Sequence, residues 1–209
     1  MAVKKIGEGA EAIIYTTRFM SRSAVLKRRM PKNYRARAID ELLRRQRTKN
    51  EARAIALAHE SGVRSPELLL VADYEILMGV MRGTMLSNCM RKSKKEMRSI
   101  MREIGKAAAL MHNAGLAHGD YTPANIIISG SHAGVIDFGM ATMLPSTEDK
   151  AMDLILMKRS VSPSDYRTVE TAYRKFSSDS AKVLNRVSSI ERRGRYKTRT
   201  LETFSSKGV

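Results

Sequence analysis

His118-Gly119-Asp120-Tyr121-Thr122-Pro123-Ala124-Asn125, the stretch HGDYTPAN, holds an acid, an amide and a proline but no nucleophile backed by its own base. Asp120 and Asn125 stand in a D-x-x-x-x-N spacing on one loop. That spacing suits phosphoryl transfer: the aspartate accepts or orients an attacking hydroxyl, and the asparagine ligates magnesium. Downstream, Ile126 to Ile128 and Gly134 to Ile136 read as a buried hairpin closed around Gly130-Ser131, which leads to Asp137-Phe138-Gly139. Two acidic segments thus flank one small hairpin, and Asp137 becomes the second metal ligand.

Phosphoryl transfer also needs cradled phosphates and neutralised charge, and the N-terminal half offers candidates in order. Ile6-Gly7-Glu8-Gly9-Ala10-Glu11-Ala12, with Ile14 just behind, can fold over phosphates because its glycines let backbone amides approach closely. Alone the string reads as a plain hairpin turn, since Ala12 stands where a third glycine would be. Lys27 closes the strand Ala24-Val25-Leu26-Lys27 and can reach phosphates, with Arg28 and Arg29 beside it read as solvated. Glu51 on the following helix is its expected partner, and Glu41 is the rival because the pattern does not fix the helix register. The methionine-rich strand Ile76 to Met81 is the natural connector between lobes, where the backbone at Met78 and Val80 can bond adenine; otherwise it is plain core. His118 is expected to pack beneath the metal site, and His59, His112 and His132 show no metal-binding spacing.

Around these residues, Val3 to Ile6, Ala12 to Phe19, Ala24 to Arg28, Leu68 to Ala72 and Ile76 to Val80 read as strands. They surround one long or broken helix in which Ile39, Leu42, Leu43, Ala52, Ile55, Ala56 and His59 form the repeating faces. Ser93 and Glu96 make a capping-box pattern, so a helix should start at Lys94, carry Met97, Ile100, Met101, Ile104, Ala108 and Met111 inward, and stop at Gly115. Ser162-Pro163 opens another helix toward Phe176, and a further one spans about Asp179 to Arg192. The last dozen residues read as frayed.

The 209 residues are 43% apolar and 28% charged, as expected of a globular protein large enough for one domain or one domain in two lobes. Apolar runs fall far short of the roughly 18 residues of a membrane span. The N-terminus lacks the apolar core of a secretory signal, so the expected location is the cytoplasm. A single cysteine, Cys89, excludes an intrachain disulfide, and fourteen methionines with no tryptophan point to an adaptable core. The formal charge of +17 attracts polyanions, with nucleic acid the leading expectation. Eleven Lys/Arg against three acids between Lys27 and Arg53, and seven against two from Arg186 to Val209, concentrate that charge in one flank and one tail.

GEGAEA, VLKRR, RTKNEARAI, HGDYTPAN, IDFGMA, EDKAMDL and a terminal RRGR, in this order over nearly the whole chain, resemble the small atypical kinases of the KEOPS (EKC) complex, the PRPK family. The resemblance implies an α+β fold, a reduced two-lobed protein kinase. Its antiparallel-sheet N-lobe would span residues 1–81, its small helical C-lobe 82–192, and a basic tail 193–209. It implies ATP and Mg2+ as cofactors, and partnership with a threonylcarbamoyl-transferase subunit, a small regulatory subunit and tRNA in forming threonylcarbamoyladenosine. Arg192, Arg193 and Arg195, together with the basic Lys27 to Arg53 flank, would then be tRNA or partner contacts. Two departures from an ordinary protein kinase stand out. Only nine residues separate Gly139 from Asp149, with no A-P-E element, and HGD with Thr122 replaces an arginine and a lysine. Asp153 is expected to bond the catalytic-loop backbone in their place, and activity on foreign peptides should be low. The alternatives are a small-molecule phosphotransferase of the aminoglycoside or choline type, which shares the HGD and DFG-like motifs but generally uses an acidic acceptor pocket, and a non-catalytic tRNA-binding scaffold.

Overall fold

The computed structural model describes residues 3–89 and 93–205, with side chains described through residue 193. Strands β1 (Lys4–Glu8), β2 (Ala12–Phe19) and β3 (Arg22–Arg29) form a meander, and helix α1 (Arg37–Glu60) follows. Strands β4 (Leu68–Val71) and β5 (Glu75–Gly79) return to the same sheet, whose order is β1-β2-β3-β5-β4 with every pairing antiparallel. The expected strands are all present, within two residues at each end.

Strand β6 (Thr84–Met85) precedes α2 (Lys94–Asn113), and the two-residue β7 (Leu116–Ala117) leads into the catalytic-loop stretch. Ser93 accepts from the Glu96 amide while the Glu96 carboxylate receives the Ser93 amide, so the expected capping box fixes where α2 begins. Strands β8 (Ile126–Ser129) and β9 (His132–Val135) make the hairpin, β6 adds to its edge, and β10 (Thr142–Met143) pairs with β7. Helices α3 (Thr147–Ser160), α4 (Pro163–Phe176) and α5 (Ser180–Ser205) complete the chain. Ser146 and Asp149 build a second capping box at the start of α3, which limits the segment after Gly139 to a few residues.

One apolar core runs from Ala54, Ile55 and Ala58 of α1 through α2 and the hairpin to α3, α4 and α5, with Met101, Met111 and Met157 filling it. It joins the helical half to the helix behind the sheet, and a second, smaller cluster of Ala52, Ile76 and Met78 lies between that helix and the sheet. Two expectations fail here. Ile39 and Leu42 are 56% and 65% exposed, while Asp40, Thr48 and Glu51 turn inward, because the inner face of α1 meets a set of buried charges. The tail is helical rather than frayed: α5 continues to Ser205, since no proline interrupts it and one interior glycine, Gly194, costs only about 1 kcal/mol. Residues 206–209 lie outside the described residues.

Candidate active site

Lys27 lies in the middle of the sheet, opposite Ile14 on β2 and Ile76 on β5. Its Nζ donates to Glu51 Oε1 at 2.6 Å and to Asp137 Oδ1 at 2.8 Å. Glu51 is thus the partner, and Glu41 instead bonds Arg37 on the outer face of α1. Glu51 Oε2 also receives Arg29 Nη2 at 2.6 Å. This corrects the reading of Arg29 as solvated: it is buried because β3 alternates, so Lys27 and Arg29 point to the same side while Arg28 faces solvent and pairs with Glu75. A carboxylate held by two cations can remain ionised away from water. Burial pushes the Asp137 carboxyl up, but the Lys27 ammonium outweighs it and holds the group below its ordinary value. A Cβ on Gly139 would stand 3.1 Å from Asp137 Oδ1 and 3.4 Å from Lys27 Nζ, so only glycine leaves this cluster uncrowded.

The HGDYTPAN loop is suspended from Asp153. This fully buried aspartate takes the His118 amide at 2.6 Å and the Gly119 amide at 2.8 Å, and lies 3.1 Å from His112 Nε2. The expected role of Asp153 therefore holds. His112, invisible as a functional residue in the sequence, supports it and in turn lies 2.9 Å from the Tyr173 hydroxyl. His118 is structural as expected: its Nε2 donates to the Ile136 carbonyl at 3.0 Å, its Nδ1 accepts from the Asp120 amide, and its ring rests on Phe138. Tyr121 is buried and donates to the Ile104 carbonyl at 2.7 Å, which pins the loop to α2; burial also pushes its phenol well above the ordinary value.

Asn125 Nδ2 donates to both the backbone carbonyl and the carboxylate of Asp120, at 2.9 and 2.8 Å, leaving its Oδ1 as an acceptor. The Ile136 amide donates to the Asn125 carbonyl at 3.0 Å, so the loop and Asp137 are tied by one backbone bond. Among the described residues no group of three or more His, Cys, Asp or Glu is set to hold a metal. That does not conflict with magnesium, which is usually held by one or two carboxylates together with substrate phosphates; the hard oxygen donors of Asn125 and Asp137 fit it. Asp137 itself has φ of 59°, a left-handed conformation that costs a non-glycine residue roughly 1–3 kcal/mol and tends to occur where function demands it.

Gly119 explains the missing arginine. It has φ of 79°, and a Cβ there would fall 2.2 Å from the Met140 carbonyl oxygen. The short segment after Gly139 runs directly over this position, tied down by β10 on β7 and by the Leu144 amide donating to Gly115.

Over the sheet, Ile6, Gly7 and Glu8 belong to β1, and the turn at Gly9–Glu11 is closed by the Gly9 amide donating to Ala12. Its acids face cations of the protein: Glu8 pairs with Lys5, and Glu11 with Arg29, Arg35 and Arg47. A Cβ on Gly7 or Gly9 would meet Ile14 or the Ala12 carbonyl at ordinary van der Waals distance, 3.9 and 3.8 Å, so neither glycine is crowded. Ala10 is exposed, Ala12 buried and Ile14 half-buried. Met78 is buried in β5 and Val80 follows it, 40% exposed, at the passage between the halves. The basic flank is less free than its count implies: eight of its eleven cations, Lys27, Arg28, Arg29, Arg35, Arg37, Arg44, Arg45 and Arg47, are in ion pairs. Arg192 and Arg193 are exposed on α5, and the Arg195 side chain lies outside the described residues.

The model of the protein kinase domain family matches residues 1–181. The KEOPS complex subunit Bud32 of Pyrococcus abyssi is 32% identical over 216 residues, covering 95% of this chain and 98% of that one. The chain belongs to the Bud32 family of protein kinases. A probable bifunctional tRNA threonylcarbamoyladenosine biosynthesis protein of Methanothermobacter thermautotrophicus is 33% identical over 198 residues, and the Bud32-like chain spans 36% of its length. In fold it resembles the Rio2 kinase of Chaetomium thermophilum, with a TM-score of 0.67 at 18% identity over 94% of this chain and 72% of that one. The sheet-plus-helix upper half and reduced helical lower half are therefore those of a protein kinase. Among the described residues, no helix is long and apolar enough to cross a membrane.

Proposed function

We propose that this chain is the ATP-dependent kinase or ATPase subunit of a KEOPS-type assembly that makes threonylcarbamoyladenosine in tRNA. The observation that carries the reading is Lys27 Nζ held between Glu51 and Asp137, beside a loop in which Asn125 fixes Asp120. Residues 1–81 form the nucleotide-facing lobe, 82–192 the acceptor-facing lobe, and 193–209 a basic tail. ATP with Mg2+ supplies the transferable phosphoryl group. The Gly7–Ala12 backbone covers its phosphates, Lys27 neutralises them, and the backbone at Met78 and Val80 receives the adenine. Asn125 and Asp137 offer oxygens to magnesium, while Asp120 orients the attacking hydroxyl or water.

The Bud32 name of one relative supports membership of a multi-subunit complex, and the bifunctional name of another supports a threonylcarbamoyl-transferring partner. A small regulatory subunit and tRNA complete the set, with Arg192, Arg193 and Arg195 as contacts. The short segment after Gly139 supports a dedicated acceptor over broad peptide phosphorylation. The test is a complex reconstituted with the transferase, the regulatory subunit, tRNA and ATP. Asp120→Ala should lower ATP turnover by about 10²–10⁴-fold and halt tRNA modification. A variant that supports modification as well as the parent would sink the proposal.

A further inference from the structure

With most of the N-lobe arginines consumed in ion pairs, the uncompensated charge gathers elsewhere. Along α2, Lys94, Arg98, Arg102 and Lys106 recur every fourth residue and so share one face, each about 6 Å further along the axis. Helix α4 packs against α2 at Gly105, where a Cβ would fall 2.2 Å from the Val169 carbonyl oxygen. Beside this close crossing opens a groove of about 1100 Å³, into which α4 contributes Arg167 and Lys175. The C-lobe ion pairs use Lys150, Lys158, Arg174 and Arg186; among the described residues none of these six groove cations is in an ion pair. Lys106 and Lys175 flank the exposed Phe176 ring, each 5.5 Å from its centroid. Two acids also line the groove: Asp165, engaged in capping α4, and the half-buried Glu103.

We infer that the α2–α4 groove binds the phosphodiester backbone of a structured RNA. Unpaired cations repeating at a fixed interval match an anion that itself repeats, whereas a single phosphorylated ligand would need one convergent pocket. On the facing wall the Ser164 hydroxyl can add a hydrogen bond to a phosphate oxygen without demanding a base sequence, while the Thr168 and Thr171 hydroxyls donate to the Ser164 and Arg167 carbonyls of α4. None of its lining residues belongs to the Lys27–Asp120 site, to the Lys27 to Arg53 flank or to the terminal arginines. Only the choice of RNA over another polyanion rests on the tRNA-linked function proposed above.

The test is fluorescence anisotropy of a labelled tRNA transcript with the full chain, between roughly 50 and 200 mM KCl. The triple variant Arg98→Gln, Arg102→Gln, Arg167→Gln should lower the salt slope by about 0.7–0.9 per cation removed, about 2–3 in all, and weaken binding at least about tenfold. A charge-matched variant of the other flank, Lys32→Gln, Lys49→Gln, Arg53→Gln, should change both far less, and Glu103→Gln should tighten binding. Equal losses in the two triple variants would overturn the inference, as would competition by a polyglutamate peptide as effective as that by unlabelled tRNA. ATP turnover is read in parallel in the reconstituted complex. If the parent shows none yet the groove variant loses RNA, the catalytic reading falls and the groove stands; if turnover is intact and the groove variant binds RNA unchanged, the groove falls and the catalytic reading stands.

Discussion

Replacing Glu51 by glutamine tests the buried charge cluster most directly. Glu51, Lys27 and Arg29 expose only 2%, 11% and 5% of their side chains, and each cation lies 2.6 Å from its own Glu51 oxygen. Glutamine keeps one acceptor and turns an amide donor toward one of the cations. Removing one partner of a buried pair costs about 3–5 kcal/mol. The lower end applies, because Lys27 keeps Asp137 at 2.8 Å and Arg29 keeps Glu11 at 3.2 Å. We expect a loss of about 3 kcal/mol, a fall of roughly 1–1.5 M in the urea midpoint at an m of about 2–3 kcal/mol/M. The chain has no tryptophan, so helical circular dichroism is the probe. Arg29 has a buried Nε with no hydrogen-bond partner among the described residues, which makes it the less satisfied cation. In an Arg29→Met background the same substitution should therefore cost about 1–2 kcal/mol less. A loss under about 1 kcal/mol in the parent, or full additivity with Arg29→Met, would refute a shared buried carboxylate.

Gly119→Ala should destabilise by about 2–4 kcal/mol, combining left-handed strain with a backbone collision at Met140, and thermal unfolding would register it; an unchanged Tm would show that the segment yields freely. Asp137 should imprint a pH dependence. Its folded value is depressed, so its stabilising contribution is present above the unfolded value of about 4 and is lost as pH falls through the folded one. Urea unfolding of Asp137→Asn between about pH 3 and 6 should be flatter than the parent's, and parallel curves would contradict the Lys27 pairing.

Features written in local pattern could be read directly. The α2 capping box, the hairpin and the D-x-x-x-x-N loop each need only residues a few positions apart, and they appear where expected. What could not be read was side-chain company across the chain. Arg28 and Arg29 look alike in sequence, yet strand alternation buries one and exposes the other. Helix α1 has enough apolar residues on two faces to be phased either way, and the choice falls to a charge cluster whose other members lie in the β1–β2 turn, on β3 and in the DFG turn. His112 had no motif to mark it, because its partners Asp153 and Tyr173 are 41 and 61 residues away. The paired strands β6, β7 and β10 have two residues each, too few for any periodicity.

The contact between Gly119 and the Met140 carbonyl joins two differences from ordinary protein kinases into one. An arginine restored at position 119 has no room while the short segment crosses it, and a longer segment lifted away would leave a left-handed glycine with nothing above it. The loop and the segment therefore behave as one unit, and an engineer who wants a phosphorylation-controlled version has to rebuild them together.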